Sequence, residues 1–225
     1  MTNPIATLTG GLIVSCQAYP GEPLRHPETM AQMAEAVVAG GAVAIRAQGL
    51  ADISFIKGRT TVPLIGLWKD GHDGVFITPT LRHARAVRDA GAEIIALDGT
   101  RRPRPDGLTL ADTIARLRDS GPTLIMADCG SLDDALAASD AGADLIGTTL
   151  AGYTEDRPRT TGPDLELLAN LVTYLPSLPI VAEGRIHTPE QARAALNTGA
   201  HAVVVGTAIT HPTTITGWFR QALAK

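Results

Sequence analysis

Eight short apolar runs, each followed by a longer segment with helical spacing, constrain the fold of this chain more than any other feature. Each run is continuously apolar rather than alternating, which is typical of parallel strands that are covered on both faces. Eight such strands with intervening helices predict an α/β fold, a (β/α)8 TIM barrel, rather than an open doubly wound sheet. The runs are Leu12-Ile13-Val14, Val43-Ala44-Ile45, Leu64-Ile65-Gly66-Leu67, Ile94-Ile95-Ala96-Leu97, Leu124-Ile125-Met126, Leu145-Ile146-Gly147, Ile180-Val181-Ala182 and Val203-Val204-Val205.

Glycines recur just before four of these runs and support the barrel. Gly40-Gly41, Gly91, Gly142 and Gly199 end helical segments at nearly equal intervals, as expected for a pair of βα units repeated four times. A glycine can take the left-handed conformation that ends a helix and turns the chain into the next strand. Because no linker or low-complexity tract interrupts the pattern, we predict a single (β/α)8 barrel domain over residues 1–225.

The composition argues against several classes of protein. With 44% hydrophobic residues the chain can bury a continuous core, yet no apolar run approaches the ~20 residues that a membrane-spanning helix needs. A net charge of -4 and 4% aromatic residues argue against a nucleic-acid binder. The N-terminal residues lack a basic segment followed by an apolar one, and only two cysteines are present. We therefore expect no signal peptide and a cytoplasmic location.

Ionisable residues follow several of the predicted strands, at the ends where TIM barrels carry their active sites. Arg46, Lys69, Asp128 and Glu183 each lie at or just after the end of a different run. Strand ends are often polar because they approach water, but that explanation accounts less easily for four ionisable residues together. The sequence therefore predicts an active site around these four residues.

Two loops near the end of the chain predict an anion site. Gly184-Arg185 follows the seventh run, and Gly206-Thr207 follows the eighth run ahead of a helical segment. Small residues let backbone N–H groups approach an anion, and barrels commonly bind phosphate after strands seven and eight. Arg185 either contacts the anion or is a solvated loop residue, and the sequence leaves both interpretations open.

Lys69 is the most suggestive single residue, because the chain has only three lysines among nineteen basic residues. Partial burial, or the charge of Arg46, would lower the pKa of this lysine and release the free amine. Such an amine could form a Schiff base or move a proton beside a carbonyl group. The structural alternative is a salt bridge with Asp98 or Asp128.

The other reactive side chains show no comparable pattern. No group of residues has the spacing of metal ligands, so no metal is predicted. Cys16 and Cys129 lie beside strand ends without a histidine partner that would mark a nucleophile. Five of the six histidines are scattered, and we expect most of these to be ordinary surface or core residues. They are His72, His83, His187, His201 and His211.

A set of segments occurs in order along nearly the whole chain. They are residues 11–18 (GLIVSCQA), 44–47 (AIRA), 63–69 (PLIGLWK), 76–80 (FITPT), 96–98 (ALD), 126–129 (MADC), 147–154 (GTTLAGYT), 181–185 (VAEGR) and 203–210 (VVVGTAIT). In combination they resemble the bacterial N-acetylmannosamine-6-phosphate 2-epimerases. The combination is specific, whereas the single motifs are much less so.

This resemblance implies a ribulose-phosphate-binding-barrel-like TIM barrel that acts as an isomerase. Its reaction would interconvert N-acetylmannosamine 6-phosphate and N-acetylglucosamine 6-phosphate, a step in sialic acid and amino-sugar catabolism. The implied partner is a small phosphorylated amino sugar, with no cofactor, no metal, no nucleic acid and no membrane. Barrels of the family are often homo-oligomers, and a dimer is the favoured assembly.

The resemblance also implies roles for individual residues. Lys69 matches the acid/base lysine of the family, and Glu183 matches a glutamate that assists it. Matches to substrate-binding positions are Gln17, Arg46 and Asp128 and, at the phosphate site, Gly184, Arg185, Gly206 and Thr207.

Two departures from the family pattern bear on affinity or substrate range rather than on reaction type. His211 precedes Pro212 where the family usually has arginine, and residues 70–74 (DGHDG) replace a more usual Arg-Asp-Tyr sequence. Other readings are a thiamin-phosphate synthase-like barrel, a ribulose-phosphate epimerase-like barrel, a flavin-dependent barrel or a phosphosugar sensor without catalysis. The retention of both Lys69 and Glu183 counts against the sensor.

Overall fold

The computed structural model describes residues 3–224, in which eight parallel strands close into a barrel in sequence order. The predicted fold is therefore confirmed, and each of the eight apolar runs coincides with a strand, although Val43 lies one residue before β2. The strands are β1 (Leu12–Cys16), β2 (Ala44–Gln48), β3 (Leu64–Leu67), β4 (Ile94–Asp98), β5 (Leu124–Asp128), β6 (Leu145–Gly147), β7 (Ile180–Glu183) and β8 (Ala202–Val205). The helices are α1 (Pro4–Thr7), α2 (Pro27–Ala39), α3 (Leu50–Lys57), α4 (Leu81–Asp89), α5 (Leu110–Arg118), α6 (Leu132–Asp140), α7 (Leu165–Tyr174), α8 (Pro189–Asn197), α9 (Thr207–Thr210) and α10 (Pro212–Leu223).

Apolar side chains fill both the inside of the barrel and the layer between the strands and the helices. Inward-facing residues such as Ile13, Ile65 and Met126 are fully buried in one cluster, while the opposite faces of the strands pack against the helices. Leu8, just after the unpredicted helix α1, joins the inner cluster. Since Leu8 precedes β1, this N-terminal segment covers the end of the barrel opposite the carboxyl ends of the strands.

The recurrent glycines turn the chain from helix to strand as predicted. Gly91, Gly142 and Gly199 all have positive φ, between 91° and 111°. At the first position the left-handed residue is Gly41 (φ 101°), whereas Gly40 remains right-handed at φ -77°. Because every strand is parallel to its neighbours, all eight carboxyl ends reach the same rim. No helix within residues 3–224 is both long and apolar enough to cross a membrane.

Candidate active site

A cavity of about 560 Å³ opens at the rim formed by the carboxyl ends of the strands. It is lined by side chains from strand ends and from the loops that follow them. Eight of the nine residues that the sequence analysis assigned to the site line this cavity, and the ninth, Asp128, does not. The eight are Gln17, Arg46, Lys69, Glu183, Gly184, Arg185, Gly206 and Thr207.

Lys69 lies two residues after β3, at the base of a short hairpin in which it pairs with Ile77. Its Nζ donates a hydrogen bond to Oε1 of Gln17 at 2.9 Å and lies 5.9 Å from the centre of the Tyr19 ring. Burial lowers the pKa of Lys69 below its ordinary value, and the positive charge of Arg46 lowers it further. The environment therefore favours the neutral amine more than water does, against the opposing charges of Glu183 and Asp128.

A salt bridge does not account for Lys69. Asp98 pairs with Arg102 at 2.8 Å and Asp128 pairs with Arg46 at 2.6 Å. Within residues 3–224 Lys69 forms no ion pair of its own. The structural alternative that the sequence left open is therefore not the arrangement seen in the structure.

Arg46 extends from β2 and is almost completely buried. Its Nη2 donates to Oδ2 of Asp128 at 2.6 Å, and its Nε lies 3.3 Å from Oε1 of Glu183. Burial alone would lower the pKa of Arg46, but the two carboxyl groups outweigh burial and raise it above its ordinary value. A fixed positive charge therefore lies in the cavity wall.

Asp128 ends β5 and has no exposed surface. Both of its carboxylate oxygens are occupied, one by Arg46 and the other by the hydroxyl of Thr149 at 2.6 Å. The structure thus places Asp128 behind the cavity wall, where it holds Arg46 and Thr149 instead of reaching the space that a substrate would fill.

Glu183 ends β7 and reaches both Arg46 and Thr149. Its backbone is fixed by Thr148, whose hydroxyl accepts from the Glu183 N–H at 2.9 Å and donates to its carbonyl oxygen at 2.8 Å. Burial raises the pKa of the Glu183 carboxyl, and the nearby charge of Asp128 also raises it, against the opposing effects of Arg46 and Lys69. The carboxyl therefore holds its proton more tightly than an exposed glutamate does.

The two glycine loops both border the cavity. Gly184 and Arg185 both have positive φ, at 109° and 55°, so the chain turns sharply after β7. Gly206 is the N-cap of α9 and supplies no side-chain acceptor, so the first N–H groups of this helix have no capping partner there. A Cβ atom on Gly206 would lie 3.2 Å from the Cβ of Ser15, which leaves little room for a larger residue.

Arg185 has a structural role that the sequence did not reveal. Its guanidinium donates to the carbonyl oxygens of Ala151 at 2.8 Å and Gly162 at 3.1 Å and to the hydroxyl of Thr160 at 3.0 Å. It also lies over the ring of Tyr153, 5.3 Å from its centre. Arg185 lines the cavity mainly as the residue that holds the loop after β6 in place.

Several cavity-lining residues were missed by sequence reasoning. Three of the five histidines that were considered scattered line the cavity, namely His72, His187 and His211. His211 is buried, with its Nδ1 3.4 Å from Oε1 of Glu22 and its ring 4.8 Å from that of Tyr19. The available signals were the departures from the family pattern at position 211 and at residues 70–74, which include His72. Among the described residues no group of three or more His, Cys, Asp or Glu side chains is arranged to hold a metal ion.

Comparison with known proteins gives one consistent result. Residues 30–225 match the family described as "Putative N-acetylmannosamine-6-phosphate epimerase". A relative from Cutibacterium acnes, named "Putative N-acetylmannosamine-6-phosphate 2-epimerase", is 68% identical over 220 residues, covering 97% of this chain and 96% of the relative. A relative of the same name from Caldanaerobacter subterraneus is 50% identical over 218 residues, covering 96% of this chain and 92% of the relative.

Two solved structures share the fold. The N-acetylmannosamine-6-phosphate 2-epimerase from Clostridium perfringens superimposes with a TM-score of 0.94 at 41% identity, covering 99% of this chain and 97% of that one. A thiamine phosphate pyrophosphorylase from Pyrococcus furiosus superimposes with a TM-score of 0.63 at 20% identity, covering 99% of this chain and 100% of that one. At that identity the second likeness concerns the barrel alone.

Proposed function

Since the chain belongs to the N-acetylmannosamine-6-phosphate 2-epimerase family, we propose that Lys69 and Glu183 carry out its reaction inside the described cavity. The protein is an isomerase that interconverts N-acetylmannosamine 6-phosphate and N-acetylglucosamine 6-phosphate. The observation that carries the assignment of roles is a buried lysine without a carboxylate partner, placed beside a fixed positive charge at the cavity wall.

The chemistry requires a base at C2 of the open-chain sugar. C2 lies next to the C1 aldehyde, so loss of its proton gives an enolate whose negative charge rests on the C1 oxygen. Neutral Lys69 takes the proton and becomes an ammonium group. Return of a proton to the opposite face of C2 inverts the centre. If Lys69 delivers that proton, its amine is neutral again at once; if another acid delivers it, Lys69 loses its proton to solvent before the next turnover.

The negative charge that develops on the C1 oxygen is best stabilised by a positive group that is already in position before the reaction. Arg46 meets this requirement, because it is held by Asp128 at 2.6 Å and is excluded from water. Fixed charges and dipoles of this kind are often the largest source of transition-state stabilisation. We assign Arg46 to this role. Gln17 orients the amine of Lys69. Glu183 either orients the same amine or acts on the ring hydroxyl when the sugar ring opens.

Phosphate recognition is assigned to the two glycine loops. The backbone N–H groups near Gly184, Gly206 and Thr207 border the cavity, and small residues there allow an anion to approach the backbone. The ring of His211 borders the same cavity.

The lowered pKa of Lys69 predicts how kcat/KM changes with pH. Below that pKa the amine is protonated and cannot accept the C2 proton, so kcat/KM should rise as the pH increases through it. Burial and Arg46 place this transition below the ordinary lysine value of 10.5. A transition at or above that value would contradict the assignment.

Proton NMR in D2O, with N-acetylmannosamine 6-phosphate and the purified protein, tests the proposal. We expect the gluco epimer to appear with deuterium at C2. Lys69→Ala should lower the rate by at least about 10²-fold, the scale of acid/base catalysis. Lys57→Ala is the matched control and should leave the rate unchanged, since Lys57 pairs with Glu93 far from the cavity. Epimerisation without deuterium uptake, or an active Lys69→Ala variant, would refute the role of Lys69.

Assembly and location are part of the proposal. Helix α10 buries none of its residues, and Phe219 on it is 68% exposed, which supports a homodimer formed through this helix. Sedimentation velocity of the wild type and of Phe219→Ser tests this, with a monomeric wild type as the contrary result. Both cysteines are buried and unpaired, which supports a cytoplasmic location.

A further inference from the structure

The hairpin that carries Lys69 after β3 is closed at its base by Thr78. The N–H of Thr78 donates to the carbonyl oxygen of Trp68 at 2.8 Å, and the Thr78 hydroxyl accepts from the N–H of Trp68 at 3.1 Å. One residue therefore holds both polar backbone groups of Trp68, which directly precedes Lys69. The direction in which Lys69 leaves the strand is thus tied to Thr78.

Thr78 has a backbone conformation that a threonine rarely adopts. Its φ is 48°, and within residues 3–224 Arg185 is the one other residue besides glycine with a positive φ. A β-branched residue in the left-handed region is strained and persists there only where its surroundings hold it. Thr78 is also completely buried and precedes Pro79, which restricts its backbone further. Contacts from elsewhere in the chain must therefore hold Thr78.

Arg104 supplies such contacts from the loop after β4. Its Nη2 donates to the carbonyl oxygen of Asp98, and its Nη1 donates to those of Thr78 and Pro79, both at 3.5 Å. The two contacts at 3.5 Å are long for hydrogen bonds, so the contact with Asp98 is the firm one. The N–H of Asp98 in turn donates to the carbonyl oxygen of Ile77 at 3.0 Å. One guanidinium thus joins the end of β4 to the returning arm of the hairpin.

A salt bridge does not explain the position of Arg104. It is 6% exposed, and among the described residues its guanidinium pairs with no carboxylate. The other arginines of the same loop do have such partners, since Arg101 pairs with Asp134 and Arg102 with Asp98. A buried charge is costly unless polar groups compensate it, and here the compensating groups are backbone carbonyls at the base of the hairpin and at the end of β4.

We propose that Arg104 is a positioning residue that keeps the hairpin closed and so holds Lys69 at the cavity. Arg104 does not line the cavity, and it acts through the backbones of Thr78 and Asp98. The catalytic meaning of this contact rests on the proposed role of Lys69. The placement of Lys69 can be measured without turnover.

The surroundings of Lys69 show what the loss of Arg104 should do. In the closed hairpin Nζ of Lys69 is buried and donates to Gln17 at 2.9 Å. The charged groups that face it are Arg46, Glu183 and Asp128. An open hairpin moves Nζ towards water, so the pKa of Lys69 should rise towards its ordinary value. Less free amine is then available at neutral pH, and it lies farther from C2 of the sugar.

Substrate binding should be affected less than the rate. The loops assigned to phosphate follow β7 and β8, on the other side of the closed barrel from β3. A displaced Lys69 therefore lowers kcat, while KM for N-acetylmannosamine 6-phosphate stays close to that of the wild type. A loss of stability alone would change neither quantity well below the melting temperature.

NMR of protein labelled with 13C-lysine, titrated without substrate and with Lys69→Ala to assign the signal, tests the placement. In Arg104→Met we expect the pKa of Lys69 to rise. We also expect kcat to fall at least about tenfold, since a displacement of about 1 Å can cost about 10²-fold. A smaller fall in kcat, or an unchanged pKa, overturns the proposal. An inactive wild type would refute the proposed function alone, because the titration needs no turnover.

Two variants separate the contact from the charge. Arg104→Lys keeps the charge but loses the two Nη donors, so it should also raise the pKa of Lys69. A rise in Arg104→Met alone would make the effect one of charge, and the proposal would fail. Arg101→Met removes a guanidinium from the same loop, but Arg101 is 52% exposed and pairs with Asp133 and Asp134. It should leave kcat and the pKa of Lys69 unchanged, and an effect as large as that of Arg104→Met would contradict the proposal.

Thr78 gives a second route that does not need Arg104→Met to fold. Thr78→Val removes the hydroxyl that accepts from Trp68, and Thr78→Ser retains it. We expect Thr78→Val to lower kcat and to raise the pKa of Lys69, and Thr78→Ser to restore both. Because Arg104 acts partly through Thr78, the double variant Arg104→Lys/Thr78→Val should lose less than the product of the single losses in kcat. Losses that multiply, or a fully active Thr78→Val, would overturn the proposal.

Discussion

Removal of the ion pair between Arg46 and Asp128 is the change whose effect on stability can be estimated best from the structure. Their side chains are 1% and 0% exposed, and Nη2 and Oδ2 are 2.6 Å apart. Removing one partner of a buried pair usually costs about 3–5 kcal/mol, because the other charge is left uncompensated. The loss of stability in Asp128→Asn should be near the lower value, because Glu183 remains 3.3 Å from Arg46 and its carboxylate can pair with it.

Arg46→Met should cost more than Asp128→Asn. It leaves two carboxyl groups in a buried site, where Lys69 is the remaining nearby cation. The double variant Arg46→Met/Asp128→Asn removes both charges, and buried pairs replaced on both sides are often close to neutral in stability. We therefore expect the double variant to lose less than the sum of the single variants, with a coupling energy of about 2–3 kcal/mol.

Urea denaturation of the wild type and the three variants measures this cycle. The midpoints should shift without a change in slope, so that the differences report stability. A matched surface cycle on Arg101 and Asp133, which are 3.6 Å apart and 52% and 70% exposed, should give a coupling of at most about 1 kcal/mol. Single-variant losses at Arg46 and Asp128 that add within about 0.5 kcal/mol would refute the reasoning that the pair acts as one unit.

Three further predictions concern the barrel around the site. Gly66→Ala should lose about 1–3 kcal/mol, because its Cβ would lie 2.5–3.1 Å from packed side chains on the outer face of β3. Gly217→Ala, in α10 with no atom within 4 Å, should instead gain about 0.4–1 kcal/mol, and thermal melting compares the two. Burial raises the pKa of Cys16 to about 12 and that of Cys129 well above its ordinary value, so iodoacetamide should label neither thiol at pH 8 until the protein is denatured, as mass spectrometry would show. Thr188→Ala should cost about 0.5–2 kcal/mol in urea through loss of the capping box of α8, and Thr188→Ser should restore most of it.

The sequence predicted the strands well because every strand of a covered parallel barrel must be apolar on both faces. The same property hid how the side chains at the strand ends share the space inside the barrel. Asp128 and Glu183 both end apolar runs and both contact Arg46 and Thr149, but only Glu183 lines the cavity. Arg46 and Thr149 occupy both carboxylate oxygens of Asp128, so Asp128 lies behind them. The sequence does not show this, because it depends on contacts between residues of different strands.

Loops and short helices were the other source of error. Helices α1 and α9 have four residues each, too few to show helical periodicity. His72 and His187 reach the cavity from loops whose path depends on tertiary contacts, so their spacing in the sequence carried no signal. The contacts of Thr149 with Asp128 and Glu183 join residues that are far apart in the sequence, so only distances reveal them.

The position of each cavity residue, on a strand or in a loop, suggests whether it affects the reaction rate or the range of substrates. Arg46, Asp128 and Glu183 lie on strands, where the register of the closed sheet holds them in place. Tyr153 and His72 reach the same cavity from loops. Substitutions of these strand residues, and of Lys69 just after β3, change the groups that act on the developing charge and should act on kcat. Substitutions of the other loop residues change what the cavity can enclose and should act on KM. The two departures from the family pattern, at residues 70–74 and 211, lie outside the strands, so we expect them to adjust binding while the proton-transfer chemistry is retained.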